Sequence, residues 1–149
     1  VTSAFVPVYA TLADLTAYAP AEVASELPTG AEATRILTSA SMTIYKATKT
    51  AIYQTDNTGL PSTEPFITGF KRATCAQVVW WLETSDELGI AGSFANVSIG
   101  GVTLARGGRG DTTTVTGVQL APQALIELEM CQARPNTVAQ IYPWEQAWP

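Results

Sequence analysis

PFITGFKRATCAQVVWWLE, residues 65–83, is the most apolar long segment of the chain. Phe66, Phe70, Ala73, Gln77, Trp80 and Trp81 recur at three- and four-residue spacing, which strings them along one stripe of a helix. Ile67, Thr74, Val78 and Leu82 widen that stripe until the middle of the segment is apolar nearly all round. A helix of that kind is covered by several neighbours. The polar residues Lys71, Arg72 and Glu83 sit toward the ends. The segment therefore reads as a central helix with Phe66, Phe70, Trp80 and Trp81 in the core, each large side chain contributing roughly 1.5–3 kcal/mol on burial. Adjacent tryptophans cannot face quite the same way, so one of the two is expected at an edge or an interface. Gly69 costs roughly 1 kcal/mol against alanine inside a helix, which points to a close backbone contact there. Ser62 or Thr63 is the expected cap, with Pro65 in the first turn.

Upstream, residues 1–10 form an extended apolar lead-in in which Pro7 blocks a helix. Thr11 is placed to cap a short helix over Leu12–Tyr18, with Asp14 at the reciprocal position of a capping box. Ala21–Leu27 adds another turn or two between two prolines. Thr29-Gly30-Ala31-Glu32 repeats the capping pattern before a longer helix expected to run to about Tyr53. Ala33, Ile36, Leu37, Ala40, Ile44, Ala47 and Ala51 give it one continuous stripe, and Thr34, Arg35, Thr38, Lys46 and Lys49 its polar face. Residues 54–62, QTDNTGLPS, read as a loop. Its acidic piece lacks the spaced ligands and closing glutamate of a calcium loop.

Downstream the period changes. Residues 94–106 alternate apolar and polar about Gly100-Gly101, the pattern of a β-hairpin with a two-residue turn. Phe94, Val97, Ile99, Val102, Leu104 and Arg106 are its candidate interface residues, because a lone hairpin is marginal in water and must pack on something. Gly107–Gly117 reads as a flexible threonine-rich connector, with a short strand at Thr113–Thr116. Pro122 opens a last helix over Gln123–Ala133 that buries Ala124, Leu125, Leu128 and Cys131. The final stretch, IYPWEQAWP, is too apolar for a frayed end. Its Ile141, Tyr142, Trp144 and Trp148 are candidate docking residues, tryptophan being a typical hot-spot anchor. The division expected is a helical domain over 1–133 and a docking tail over 134–149.

Composition narrows the chemistry. The chain has 149 residues, 46% apolar and only 14% charged, enough for one domain with one core. So few charges favour a surface that is hidden, as at subunit interfaces. A net charge of −5 disfavours gripping nucleic acid through a basic patch. There is no histidine, which removes the commonest general base and metal ligand. No nucleophile motif or phosphate loop is present, so neither catalysis nor a cofactor or metal is expected. The acidic pairs Asp86/Glu87 and Glu127/Glu129 read as solvated faces. Cys75 and Cys131 read as buried free thiols. No signal-peptide pattern opens the sequence and no run of 18 apolar residues suggests a membrane span.

Four stretches in this order carry a family resemblance: YATLADLTAY at 9–18, AIYQTDNTGLP at 51–61, RATCAQVVWWLETSDE at 72–87 and SFANVSIGGVTLARG at 93–107. Together they resemble the head-to-tail connector, or adaptor, of long-tailed double-stranded DNA bacteriophages, most closely the versions in phages of actinobacteria. The resemblance implies a mainly α fold: a small helical bundle with a protruding hairpin and an extended C-terminal tail. It implies a homo-oligomeric ring, usually of about twelve copies, docked on the portal protein and receiving a stopper or tail-completion protein on its other face. DNA then passes through the lumen without being held, which suits an acidic wall. It also implies a place at the head-to-tail interface of the virion, with the host cytoplasm before assembly, and it puts Ile141, Tyr142, Trp144 and Trp148 forward for the portal contact. Two other readings stand beside it. One is a stopper or tail-terminator protein, which is usually richer in strand, and the other is a small acidic module that binds a host protein.

Overall fold

The computed structural model describes residues 5–87, 96–99, 102–105, 120–131 and 133. Among these the chain is mainly helical. Five helices are described: α1 (Leu12–Tyr18), α2 (Ala21–Ala24), α3 (Gly30–Ala47), α4 (Phe66–Thr84) and α5 (Pro122–Met130). Two four-residue strands, β1 (Asn96–Ile99) and β2 (Val102–Ala105), pair antiparallel, with Val97 opposite Leu104 and Ile99 opposite Val102. The rest of the 94–106 segment, including Phe94, Gly100, Gly101 and Arg106, lies outside the described residues, as do the connector at 107–117 and the tail at 134–149.

Helix α4 is the element on which the others pack, because it is apolar on more than one side. Phe70, Ala73 and Ala76 join Tyr9, Ile44, Ala124, Leu128 and Cys131 in one cluster. Cys75, Val78, Val79 and Trp81 join Leu15, Val23, Ile36, Leu37 and Ala40 in a second. Helices α1, α2 and α3 supply one cover and α5 another. The two tryptophans differ in burial: Trp81 is buried, 4% exposed, while Trp80 is half-buried and touches both clusters. Phe70 is fully buried, but Phe66 is only partly so, packed over Tyr53 with ring centroids 5.7 Å apart.

At Gly69 the end of α5 approaches α4 closely. A Cβ there would lie 2.5 Å from both Cβ and Sγ of Cys131, the close approach that a helical glycine predicts. Two polar contacts continue the seam. The fully buried Gln77 accepts a 2.8 Å hydrogen bond from the Ala121 amide at the start of α5. Arg72 donates two 2.9 Å bonds to the carboxylate of Glu127. The contacts 77 to 121, 72 to 127 and 69 to 131 run in opposite directions, so α4 and α5 are antiparallel.

Several boundaries differ from the expectation. Helix α3 stops at Ala47 rather than near Tyr53. Thr48 turns its hydroxyl back onto the Ile44 carbonyl at 2.9 Å and is buried. The chain then bends so that Tyr53 meets Phe70 at 4.9 Å. Tertiary aromatic packing thus overrides the alanine stripe, and β-branched threonines make poor continuing residues. The last helix ends at Met130, not Ala133, and Leu125 is exposed, its place on the buried side taken by Glu127. Neither Ser62 nor Thr63 caps α4. Pro65 occupies the cap position after a cis Glu64–Pro65 bond, and the Glu64 carboxylate accepts the Thr68 amide at 3.2 Å.

The two predicted capping boxes part company. Thr11 and Asp14 form theirs reciprocally: the Asp14 amide donates to the Thr11 hydroxyl oxygen at 3.3 Å and the Thr11 amide to the Asp14 carboxylate at 2.9 Å. Thr29 makes no such bond. Gly30 takes a positive φ of 60°, and Glu32 turns instead to Arg35.

Candidate interaction surface

The candidate residues named from the sequence fall into three groups. Ile141, Tyr142, Trp144 and Trp148, together with Phe94 and Arg106, lie outside the described residues. Val97, Ile99, Val102 and Leu104 belong to the paired strands, and the register places these four positions on one face of the ribbon. Of the expected core group, Phe70 and Trp81 are buried, while Phe66 and Trp80 are partly buried and pack against the core clusters.

The bundle leaves several large apolar side chains outside. Met130 is 78% exposed, Ile52 68% and Met42 53%, and Phe5, Val6, Val8 and Ile126 are each near half exposed. Two helices carry much of this. On α3, Met42, Tyr45 and Lys46 follow at helical spacing on the side away from the buried stripe, and Lys49 lies exposed in the turn just past the helix. The ring of Phe5 meets that of Tyr45 edge to face at 5.8 Å, carrying the apolar surface onto the N-terminal segment. That segment is fastened by the Tyr9 amide, which donates to the buried Ser41 hydroxyl at 3.1 Å. On α5, Ile126, Glu129 and Met130 share the face turned away from α4. An open groove of about 300 Å³ runs between the lead-in and α3, lined by Val8, Ala10, Leu12, Ala33 and Leu37, with Gly30 at its end.

The charged groups sort into paired and unpaired. Arg35 is shared between Glu32 and Glu87, the latter at 2.6 Å. Lys71 meets Asp14 at 3.2 Å. Arg72 holds Glu127 and also lies 5.4 Å from the centre of the Tyr18 ring. The expectation of solvated acids fails for Glu87, which is bonded to Arg35, and for Glu127, which is only 8% exposed. Its bonds from Arg72 hold the Glu127 carboxyl below the usual range against the opposing cost of burial. Hydrogen bonds from Thr11 do the same for Asp14. By contrast, Lys46, Lys49 and Glu129 form no ion pair with a described residue.

The remaining reactive groups are closed off. Cys75 and Cys131 are buried and unbonded to each other. Burial pushes the Cys75 thiol up to about 12 and raises that of Cys131 as well, so each is a thiol rather than a nucleophilic thiolate near neutrality. The Asp56 carboxylate, in the piece with calcium-loop spelling, is taken up by the Thr58 amide and hydroxyl and the Leu60 amide. The described surface thus exposes apolar side chains on α3, α5 and the lead-in. Sequence reasoning missed its α3 and α5 faces because Met42 and Met130 look like ordinary helix residues. The signal available was their three- and four-residue spacing to Tyr45 and Ile126 on the face opposite the buried stripe.

Compared with known proteins, the chain matches no family model, no curated protein and no solved structure.

Proposed function

We propose that this chain is a structural virion protein, a head-to-tail adaptor that forms a ring on the portal, extends the DNA channel and offers a platform to a stopper or tail-completion protein. The observation that carries the reading is the exposed apolar side chains of α3, α5 and the lead-in on a chain with only 14% charged residues. A bundle so equipped is suited to assembly rather than to solitary life. The four stretches that resemble phage connectors say what kind of assembly. In this reading the 94–106 hairpin protrudes and Phe94, Val97, Ile99, Val102, Leu104 and Arg106 contact a neighbour. The 134–149 tail extends toward the portal and anchors through Ile141, Tyr142, Trp144 and Trp148. Double-stranded DNA crosses the lumen without specific binding, and no catalytic step, cofactor or metal is involved.

The decisive experiment is deletion of the gene in its phage. DNA-filled heads that lack tails are the expected product, and complementation restores infectivity. Mixing the purified chain with its portal is expected to add about a dozen copies per portal ring, read by native mass spectrometry. Normal tailed, infectious particles in its absence overturn the proposal. Tight binding to one host protein, with none of the chain in virions, transfers the weight to the host-binding module.

A further inference from the structure

The α3 and α5 faces differ in the sign of their rims. Lys46 follows Met42 by one turn on α3 and Lys49 is exposed in the turn just past that helix, whereas Glu129 shares the outer side of α5 with Ile126 and Met130. All six are exposed, and neither the lysines nor Glu129 have an ion-pair partner among the described residues. Each is therefore an apolar centre edged by an uncompensated charge, the arrangement in which charge selects the partner and apolar contact holds it.

We propose that the partner is a second copy of this chain, with the lysine-rimmed α3 face of one copy receiving the glutamate-rimmed α5 face of the next. Pairing like with like is disfavoured on either helix: α3 on α3 sets Lys46 and Lys49 against their equivalents, and α5 on α5 does the same with Glu129. Opposite pairing removes both conflicts. Because the two faces are different patches of one molecule, the contact is heterologous and leaves one face of each kind open at the ends, so it propagates into a ring or a chain. Helices α3 and α5 both pack on α4, which holds the two faces in a fixed relation and so fixes the rotation between successive copies. The inference rests on the adaptor reading for its purpose, but its geometry is independent of the virion.

Sedimentation velocity across a concentration series tests it, with three proteins: wild type, the Lys46→Glu/Lys49→Glu variant and Glu129→Lys. All three positions are exposed, and circular dichroism verifies that each variant is folded. Wild type is expected to associate beyond a dimer, and less so as salt rises. Each variant alone is expected to associate about tenfold more weakly or worse. An equimolar mixture of the two variants recovers the wild-type species, because each face again meets its opposite. A wild type that stays monomeric, a Glu129→Lys variant that associates like wild type, or a mixture no better than its components overturns the interface. Charge-dependent association by a protein whose deletion leaves normal virions instead overturns the adaptor reading and leaves the interface standing.

Discussion

Gly69 shows how one residue sets the distance between two helices. Any side chain there collides with Cys131, whose Cβ is carried by the backbone just past α5 and cannot swing away. Gly69→Ala gains about 1 kcal/mol in helix propensity but forces the α4–α5 seam apart, an overpacking cost of typically 1–3 kcal/mol. A net loss of stability is expected, read as a lower urea midpoint. Adding Cys131→Ala recovers only part of it, since the Cβ overlap persists. A Gly69→Ala protein more stable than wild type means that the seam yields. The same seam holds the residues that the sequence misplaced. Glu127 looks solvated beside Glu129, yet its neighbours one helical turn away, Ala124 and Cys131, are core, and its burial is offset by two hydrogen bonds from Arg72 and one from Gln123.

At the scale of elements, the T-x-x-acid pattern stands before two helices, α1 and α3, and makes a box only at α1. Thr11 and Asp14 bond reciprocally at the start of α1, while Thr29 stands at the start of α3 without a side-chain bond. Thr11→Ala is therefore expected to cost about 1 kcal/mol, and Thr29→Ala only a few tenths. Equilibrium urea unfolding of the two variants decides this, and equal losses contradict the assigned caps. Helix α1 was legible to the residue because Thr11, Asp14 and Pro20 are all local signals. The end of α3 was not, because the chain leaves the helix to bring Tyr53 onto Phe70, a contact between residues 17 apart in sequence. For the candidate surface, apolar spacing on α3 and α5 was readable, but which face stays uncovered depends on where α4 lies.

For the molecule as a whole, acid sensitivity follows from the carboxyls that hydrogen bonds or ion pairs hold down. Asp14, Glu32, Asp56 and Glu127 are all lowered from their ordinary values of 3.8 for aspartate and 4.5 for glutamate. A lowered folded pKa means that the unfolded chain binds more protons in this range. The stabilisation is complete above about pH 5 and drains away as pH falls through the folded values. Urea midpoints measured from pH 6 to pH 3 are expected to decline, and Glu127→Gln is expected to flatten that slope, as it removes the least exposed of the four. A Glu127→Gln slope equal to that of wild type argues that Glu127 titrates alike in both states. By itself the sequence determined the mainly helical class, the central place of the 65–83 segment, the α1 cap and the close contact at Gly69, because each is written in local spacing or in a residue with a narrow steric use. Only the tertiary structure decided where α3 stops, that Gln77 and Arg72 fasten α5, and which apolar faces remain outside, because each depends on the side chains that distant segments bring alongside.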